Sequence, residues 1–279
     1  MFKTIVVHVS PASGMPDTFD SAARLAATYG AHLVGTTASG VVELNYLAGS
    51  DAPMVMMPPW EANALRQNAR TRLEQFEAQC RSAGVASYET RMLDTSAVEA
   101  LLLQARYCDL LLAGLQDLED YGLLLPPRLP GQLVTRCVRP VLLIPPGKPM
   151  GPHGFQKVLL AWNGSPAASR ALAFALPLVQ RASKVLVAVC NPQREQVDMG
   201  GEPGADIATY LARHHRDVEV LRLETSAETG SALCQLAQER RVDLLVAGAY
   251  GHSRLHEWIL GSTTASLIEQ SRTALLMSQ

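Results

Sequence analysis

The sequence predicts an α/β protein with two tandem, doubly wound domains, each built on a five-stranded parallel sheet of Rossmann-like type. Two observations support this prediction. Short apolar runs rich in valine and leucine alternate with longer amphipathic stretches, which is typical of βαβ units. The chain also repeats itself, so the same unit is predicted twice.

The internal repeat is visible at two places in each half. Residues 2–10 align with residues 155–163, and residues 107–114 align with residues 241–248. Each aligned pair contains an apolar run of strand length. The first and fourth strands of the two halves are therefore predicted to correspond.

A linker is predicted between the two copies. Residues 145–152 contain four prolines and show no hydrophobic periodicity, which is typical of a connecting segment. We therefore expect two domains that span residues 1–148 and 153–279.

The elements of the second half follow from its apolar runs and helix signals. Ser165 can cap a helix over 165–180, Pro166 suits its first position, and Pro177 is expected to kink or shorten it. In the first half, a long helix is predicted from about Glu61 to Ala83. The predicted strands of the second half lie at about 157–162, 184–190, 218–223, 242–247 and 273–278.

Composition excludes several classes of function. The 279 residues are 48% hydrophobic and 18% charged, with a net charge of −2, which indicates neither nucleic-acid nor membrane-surface binding. No apolar run approaches the ~20 residues that span a bilayer. Residues 4–9 are predicted to form a first strand and not a signal peptide, so we expect a cytoplasmic protein.

The cysteines are scattered and lack the spacing of metal ligands. We expect no metal site and reduced thiols packed as small hydrophobic side chains. The five cysteines are Cys80, Cys108, Cys137, Cys190 and Cys234.

A glycine-punctuated loop near the end of the chain predicts a phosphate site. It contains Gly248, Gly251 and Gly261, follows an apolar strand, and leads into a helix opened by Ser262 and Thr263. Glycines let backbone N–H groups approach an anion, and a helix N-terminus adds unpaired donors and the positive end of its dipole. Hydroxyl groups supply further donors at the same place.

The spacing of this loop is G-x2-G-x9-G-[ST], and it resembles the nucleotide-binding signature of the universal stress protein family. Residues 158–165 and 168–172 are similar to the opening strand, turn and first helix of that family. The resemblance implies a fold of the adenine nucleotide alpha hydrolase type. It also implies that the intact motif of residues 153–279 binds an adenine nucleotide, with ATP as the first candidate.

The resemblance also suggests where the nucleoside would lie. Asn163 and the end of the second strand near Val189 are expected to hold it. The family usually has aspartate where this chain has Asn163, and an amide lacks the charge that holds a divalent ion. Magnesium is therefore only weakly supported. Trp162 either stacks on the base or belongs to the core, and the core interpretation is favoured.

The first half carries an eroded copy of the motif. Gly114 is retained, but Asp117 replaces the second glycine and would repel a phosphate. Gly131 can match the third glycine, yet Gln132 and Leu133 replace the two hydroxyl residues. Prolines in the loop remove backbone donors. We expect no nucleotide in this half. The loop prolines are Pro126, Pro127 and Pro130.

The edges of the two sheets predict how the halves meet. The final strands, Val141–Ile144 and Ala274–Met277, are short, apolar and placed at sheet edges, where unpaired backbone invites pairing. We expect the halves to pack face to face, with these edges paired antiparallel. The arrangement would resemble the homodimer of single-domain relatives.

Three functions remain open on the sequence alone. The leading hypothesis is a regulatory stress-response protein that binds a nucleotide. A slow ATP hydrolase is an alternative, in which Arg254, His252 and His256 assist, although neither a Walker lysine nor a nucleophile–base pair is evident. The third hypothesis is a scaffold with both sites vestigial. In that case the methionine-rich segment 45–60 binds a protein partner instead of packing against the other domain.

Overall fold

The computed structural model describes most of the chain. The described residues are 1–10, 16–41, 57–116, 129–193, 202–215, 217–249 and 262–279.

Strands and helices alternate along both halves of the described chain, as the hydrophobic pattern predicts. The first half contains β1 (Thr4–His8), α1 (Pro16–Tyr29), β2 (His32–Ala38), α2 (Pro59–Ser82), β3 (Tyr88–Leu93), α3 (Ala97–Ala105), β4 (Leu110–Gly114), α4 (Leu129–Arg136) and β5 (Val141–Ile144). The second half contains β6 (Lys157–Ala161), α5 (Pro166–Val179), β7 (Lys184–Cys190), α6 (Ala205–Ala212), β8 (Val218–Leu223), α7 (Thr229–Glu239), β9 (Leu244–Gly248), α8 (Ser262–Gln270) and β10 (Ala274–Ser278).

The described strands form one continuous sheet in which each half contributes five parallel strands. The order across the sheet is β3-β2-β1-β4-β5-β10-β9-β6-β7-β8. The predicted pair of doubly wound parallel units is therefore confirmed.

The two halves are joined through β5 and β10. These strands pair antiparallel, with Leu143 opposite Leu275 and Val141 opposite Met277. The predicted edge pairing is thus confirmed, but the expectation of face-to-face packing is wrong. The halves meet edge to edge, because pairing satisfies the backbone groups of both edges within a single sheet.

Helix boundaries follow the predicted local signals closely. Ser165 caps α5, and its side chain accepts a hydrogen bond from the backbone N–H of Ala168 at 3.2 Å. Pro177 does not end this helix, which continues to Val179. Helix α2 begins at Pro59, two residues before the predicted start, because proline is tolerated in a first helical turn.

The core lies on both faces of the sheet. In β9, Leu244 and Val246 pack into one hydrophobic cluster, whereas Leu245 and Ala247 pack into the cluster on the opposite face. This double burial explains why the central strands read as continuous apolar runs. All five cysteines are free and buried, which confirms the expectation that they pack as small hydrophobic side chains.

The outer edges of the sheet, β3 and β8, are only partly buried and carry charged side chains. Glu89 and Arg91 form an ion pair on β3. Glu219 on β8 forms an ion pair with Lys184 on β7 at 2.7 Å. Charges on an edge strand disfavour pairing with another chain.

The proline-rich segment 145–152 is held against α1. The backbone N–H of Gly147 donates to the Asp17 carboxylate at 2.6 Å, and that of Met150 donates to the Ser21 hydroxyl at 2.9 Å. The connection between the halves is therefore anchored at two points. Among the described helices, none has the length and apolar character needed to cross a bilayer.

Candidate functional site

The fold brings three of the predicted site residues to one edge of the sheet. Strand β6 lies between β7 and β9, and all three run parallel. The chain leaves β6 towards β7 on one side and later reaches β9 on the other, so a switch point lies between β6 and β9. Asn163 follows β6, Gly248 ends β9, and Val189 is the penultimate residue of β7. Ligands of open α/β sheets bind at such points.

Gly248 is required by the packing of α5 on the end of β9. A Cβ at this position would lie 2.6 Å from the carbonyl carbon of Ala167 and still closer to the backbone nitrogen of Ala168. The first turn of α5 therefore passes directly over this glycine. Sequence reasoning assigned Gly248 only to phosphate approach and missed this packing role.

The turn after β6 is fixed by local hydrogen bonds. The side-chain oxygen of Asn163 accepts from the backbone N–H of Ser165 at 3.2 Å, and Gly164 has a positive φ of 72°. Asn163 is half-buried at the carboxyl edge of the sheet. Its side chain thus contributes to the turn that starts α5.

Val189 and Trp162 both belong to the core. The Val189 side chain is 0% exposed, so only its backbone at the strand end can face a nucleoside. Trp162 is partly buried and packs against the same hydrophobic cluster. The core interpretation of Trp162 is therefore favoured over base stacking.

Helix α8 begins where the phosphate motif ends. Ser262 is exposed at its first position, Thr263 is half-buried, and Thr264 is buried. Gly251 and Gly261 lie outside the described residues, as do the candidate hydrolysis residues His252, Arg254 and His256. The methionine-rich segment 45–60 is described only from residue 57, and there Trp60 is 71% exposed.

Glu228 is a half-buried carboxylate that the sequence analysis did not single out. It caps α7, and its Oε2 accepts a hydrogen bond from the backbone N–H of Ser231 at 2.9 Å. Burial acts to raise the pKa of this carboxyl. The backbone N–H groups of Gly230 and Ser231 and the hydroxyls of Ser266 and Thr263 outweigh burial and lower the pKa from its usual value.

Helices α7 and α8 cross at Gly230. A Cβ there would lie 2.6 Å from the Thr263 carbonyl oxygen and 2.8 Å from the Ser266 Cβ. The absent side chain lets the first turn of α8 approach Glu228. In the sequence, this crossing is indicated only by an acidic residue and a glycine at the start of α7. These two residues do not show that α8 is the helix that packs against them.

Comparison with known proteins identifies the second half. The sequence model of the universal stress protein family matches residues 154–279. A universal stress protein of Synechocystis sp. is 26% identical over 151 residues, which are 52% of this chain and 51% of that protein. The chain thus spans about half the length of this relative. The second half of the chain therefore matches the universal stress protein family.

Solved structures of universal stress proteins show the same fold over both halves. One from Archaeoglobus fulgidus is 16% identical, with 99% of this chain and 96% of that chain covered at a TM-score of 0.73. A putative universal stress protein from Pseudomonas aeruginosa is 16% identical, with coverages of 99% and 93% and a TM-score of 0.63. At such identity the likeness concerns the fold alone.

The first half has the same fold as the second, but different side chains follow its strands at the carboxyl edge of the sheet. Gly114 ends β4 in a buried position, and Gly131 and Leu133 are buried within α4. Gln132 is half-buried. Leu133, which the sequence aligns with Thr263, packs in the core. The remaining eroded positions, Asp117, Pro126 and Pro127, lie outside the described residues.

Proposed function

We propose that this universal stress protein binds an adenine nucleotide, with ATP as the first candidate, in a second domain spanning residues 153–279. The role is regulatory and not catalytic. The first domain, residues 1–148, pairs with the second through the shared sheet and binds no nucleotide.

The observation that carries the proposal is the position of α8. Its N-terminus, with Ser262 exposed, follows the glycine loop that leaves β9 at Gly248 beside the switch point. Unpaired backbone donors and a serine hydroxyl at a helix N-terminus suit a phosphate group. The family signature of the loop supports the same ligand.

The nucleoside would lie beyond β6 and β7. In the proposal, the Asn163 amide faces the ribose or base edge, and the backbone near Val189 borders the base. Because Asn163 offers no charge, nucleotide binding in the proposal does not depend on magnesium.

Calorimetric titration with ATP tests the proposal. Gly261→Val places a branched side chain against the phosphates, and Ser262→Ala removes one donor, so both variants should bind ATP more weakly. Ser82→Ala, an exposed serine in the first half, is the matched control and should bind as the unmodified protein does. Unchanged affinity in Gly261→Val would refute the assignment of the loop.

The regulatory role is tested separately. A single-turnover incubation with ATP should release no ADP over several binding lifetimes. Rapid and stoichiometric hydrolysis would favour the ATP hydrolase instead. Mass spectrometry of ligands that co-purify with the protein would identify the nucleotide.

A further inference from the structure

A groove outside the candidate site lies along α3, in the first half of the chain. Its volume is about 620 Å³, and its lining comes from the end of β3, from α3, and from the end of α4 and the residues that follow. The lining residues are Leu93, Asp94, Thr95, Glu99, Leu102, Leu103, Arg106, Arg136 and Val138. The groove therefore combines apolar surface with charges of both signs.

Exposed apolar side chains are concentrated at this groove. In the described part of the chain, six large hydrophobic side chains are exposed, and three of them lie here: Leu103 at 40%, Val138 at 65% and Tyr107 at 72%. Leu103 and Val138 line the groove, and Tyr107 follows the lining residue Arg106. In the internal repeat, Tyr107 aligns with Arg241, so the second half carries a charged side chain there. Apolar exposure that is clustered in this way marks an interaction surface.

One face of α3 carries opposite charges at its two ends. Glu99, Leu102, Leu103 and Arg106 are spaced i, i+3, i+4 and i+7, so they follow one another along a single face of the helix. Glu99 lies in the first turn, and Arg106 is the residue that caps the end. This face of α3 is therefore acidic at its start, apolar in the middle and basic at its end.

We propose that this face of α3 binds a second copy of the chain, with the two α3 helices antiparallel about a two-fold axis. In this dimer, Leu102 and Leu103 pack against the same residues of the partner subunit. Arg106 meets Glu99 of the partner subunit, and the symmetry repeats this contact at the other end. The inference does not depend on nucleotide binding.

The charges at the groove favour a second copy over a partner of one charge sign. A two-fold rotation brings each end of the face to its opposite charge, whereas a uniformly acidic or basic partner would meet a like charge at one end. Among the described residues, Arg106 forms no ion pair. Asp94 is paired with Arg66 at 3.0 Å. Glu99 is paired with Arg136, but its side chain is 54% exposed, so the carboxylate can accept from a second donor.

Sedimentation velocity over a range of protein concentrations tests the dimer. The unmodified protein should pass from monomer to dimer as its concentration rises. Leu103→Asp places two carboxylates in the apolar centre of the interface and should weaken association by about a hundredfold. Tyr210→Asp is the matched control, because Tyr210 is 39% exposed and lies on α6 in the second half, and it should leave association unchanged. A protein that stays monomeric at every concentration, or equal association of the two variants, would overturn the proposal.

Charge reversal tests how the two helices are paired. Arg106→Glu alone and Glu99→Arg alone each place like charges at both symmetric contacts, so each should weaken association by about tenfold or more. Arg213→Glu is the matched control, because Arg213 caps the end of α6 as Arg106 caps the end of α3, and it should associate like the unmodified protein. A mixture of the Arg106→Glu and Glu99→Arg proteins restores opposite charges at both contacts. The mixture should therefore dimerise about tenfold more tightly than either variant alone.

The mixture also guards against loss of folding, since a misfolded variant cannot be rescued by adding a second one. Stronger association of the mixture than of either variant would support the antiparallel two-fold pairing. If both variants are folded by circular dichroism and their mixture associates no more tightly than each alone, Arg106 does not meet Glu99 of the partner subunit. The proposed dimer would then be wrong.

Discussion

The hydroxyl of Tyr29 in the first half donates a hydrogen bond to the carbonyl oxygen of Pro177 in the second half, at 2.8 Å. The N–H of Arg181, which would reach this carbonyl in a continuing helix, donates to Leu178 instead. Tyr29 also packs edge-on against Phe2, and the Arg181 guanidinium lies 5.7 Å from its ring centre. The halves are thus held together by helix contacts as well as by the shared sheet.

Tyr29→Phe should lower the free energy of unfolding by about 1–2 kcal/mol. The change leaves the ring in place but removes the donor for a part-buried carbonyl. Urea unfolding would measure the loss. Tyr107→Phe is the matched control, because Tyr107 is 72% exposed, and it should stay within about 0.5 kcal/mol. Equal effects of the two changes would contradict a role for the Tyr29 hydroxyl.

Gly248→Ala should destabilise the second half by about 1–3 kcal/mol, because the added methyl meets the backbone of Ala167 and Ala168. Backbone at a capped helix start cannot rotate away as a side chain can. We also expect weaker ATP binding, since α5 would shift from the switch point. Gly151→Ala is a suitable control, because its nearest neighbour would be 3.7 Å away. A stable Gly248→Ala protein with normal ATP affinity would refute both expectations.

Alkaline pH should destabilise the protein through its buried thiols. Burial, and to a smaller extent Cys137, raises the pKa of Cys108 from 9.0 to about 12. The pKa of the Cys108 thiol is higher in the folded protein than in the unfolded chain. Its contribution to the free energy of unfolding is therefore complete below pH 9 and is lost as pH rises towards about 12.

Urea midpoints measured between pH 8 and pH 11 would show this loss. Cys108→Ala removes one contributing thiol and should make the fall with pH shallower, although the variant starts from a lower stability. A pH dependence identical to that of the unmodified protein would exclude Cys108 as a contributor.

Gly251→Asp should lower ATP affinity by at least about a hundredfold, because it introduces in the second half the carboxylate that the first half carries at Asp117. A like charge ~4 Å from a phosphate costs several kcal/mol at an effective dielectric near 20. Titration with a fluorescent ATP analogue would measure the change. Asp117→Gly should not create binding in the first half, since Gln132 and Leu133 still lack hydroxyls. Tight binding by Gly251→Asp would show that this glycine is not at the phosphates.

Much of the fold was predictable because its signals are local. The strands of the second half begin and end within two residues of their predicted positions, and Ser165 and Pro166 mark the start of α5 as expected. Apolar runs and caps act over a few residues, so they can be read along the chain. Even the pairing of β5 with β10 followed from two apolar edges that needed a partner.

The candidate site was predictable only in part. The sequence places Asn163 and Gly248 at the carboxyl edge of the sheet, since both follow strands of a βαβ pattern. It did not reveal that Gly248 accommodates the backbone of α5, nor that Gly230 accommodates the first turn of α8.

The sequence by itself therefore determined the alternating elements, the internal repeat and the family motif, because each depends on residues that are close together in the chain. Only the tertiary structure decided that the halves meet edge to edge, that Tyr29 bonds Pro177, and that α7 and α8 cross at Gly230. Such contacts join residues far apart in the chain. They depend on how the helices pack against the sheet, and no local pattern of side chains determines this packing.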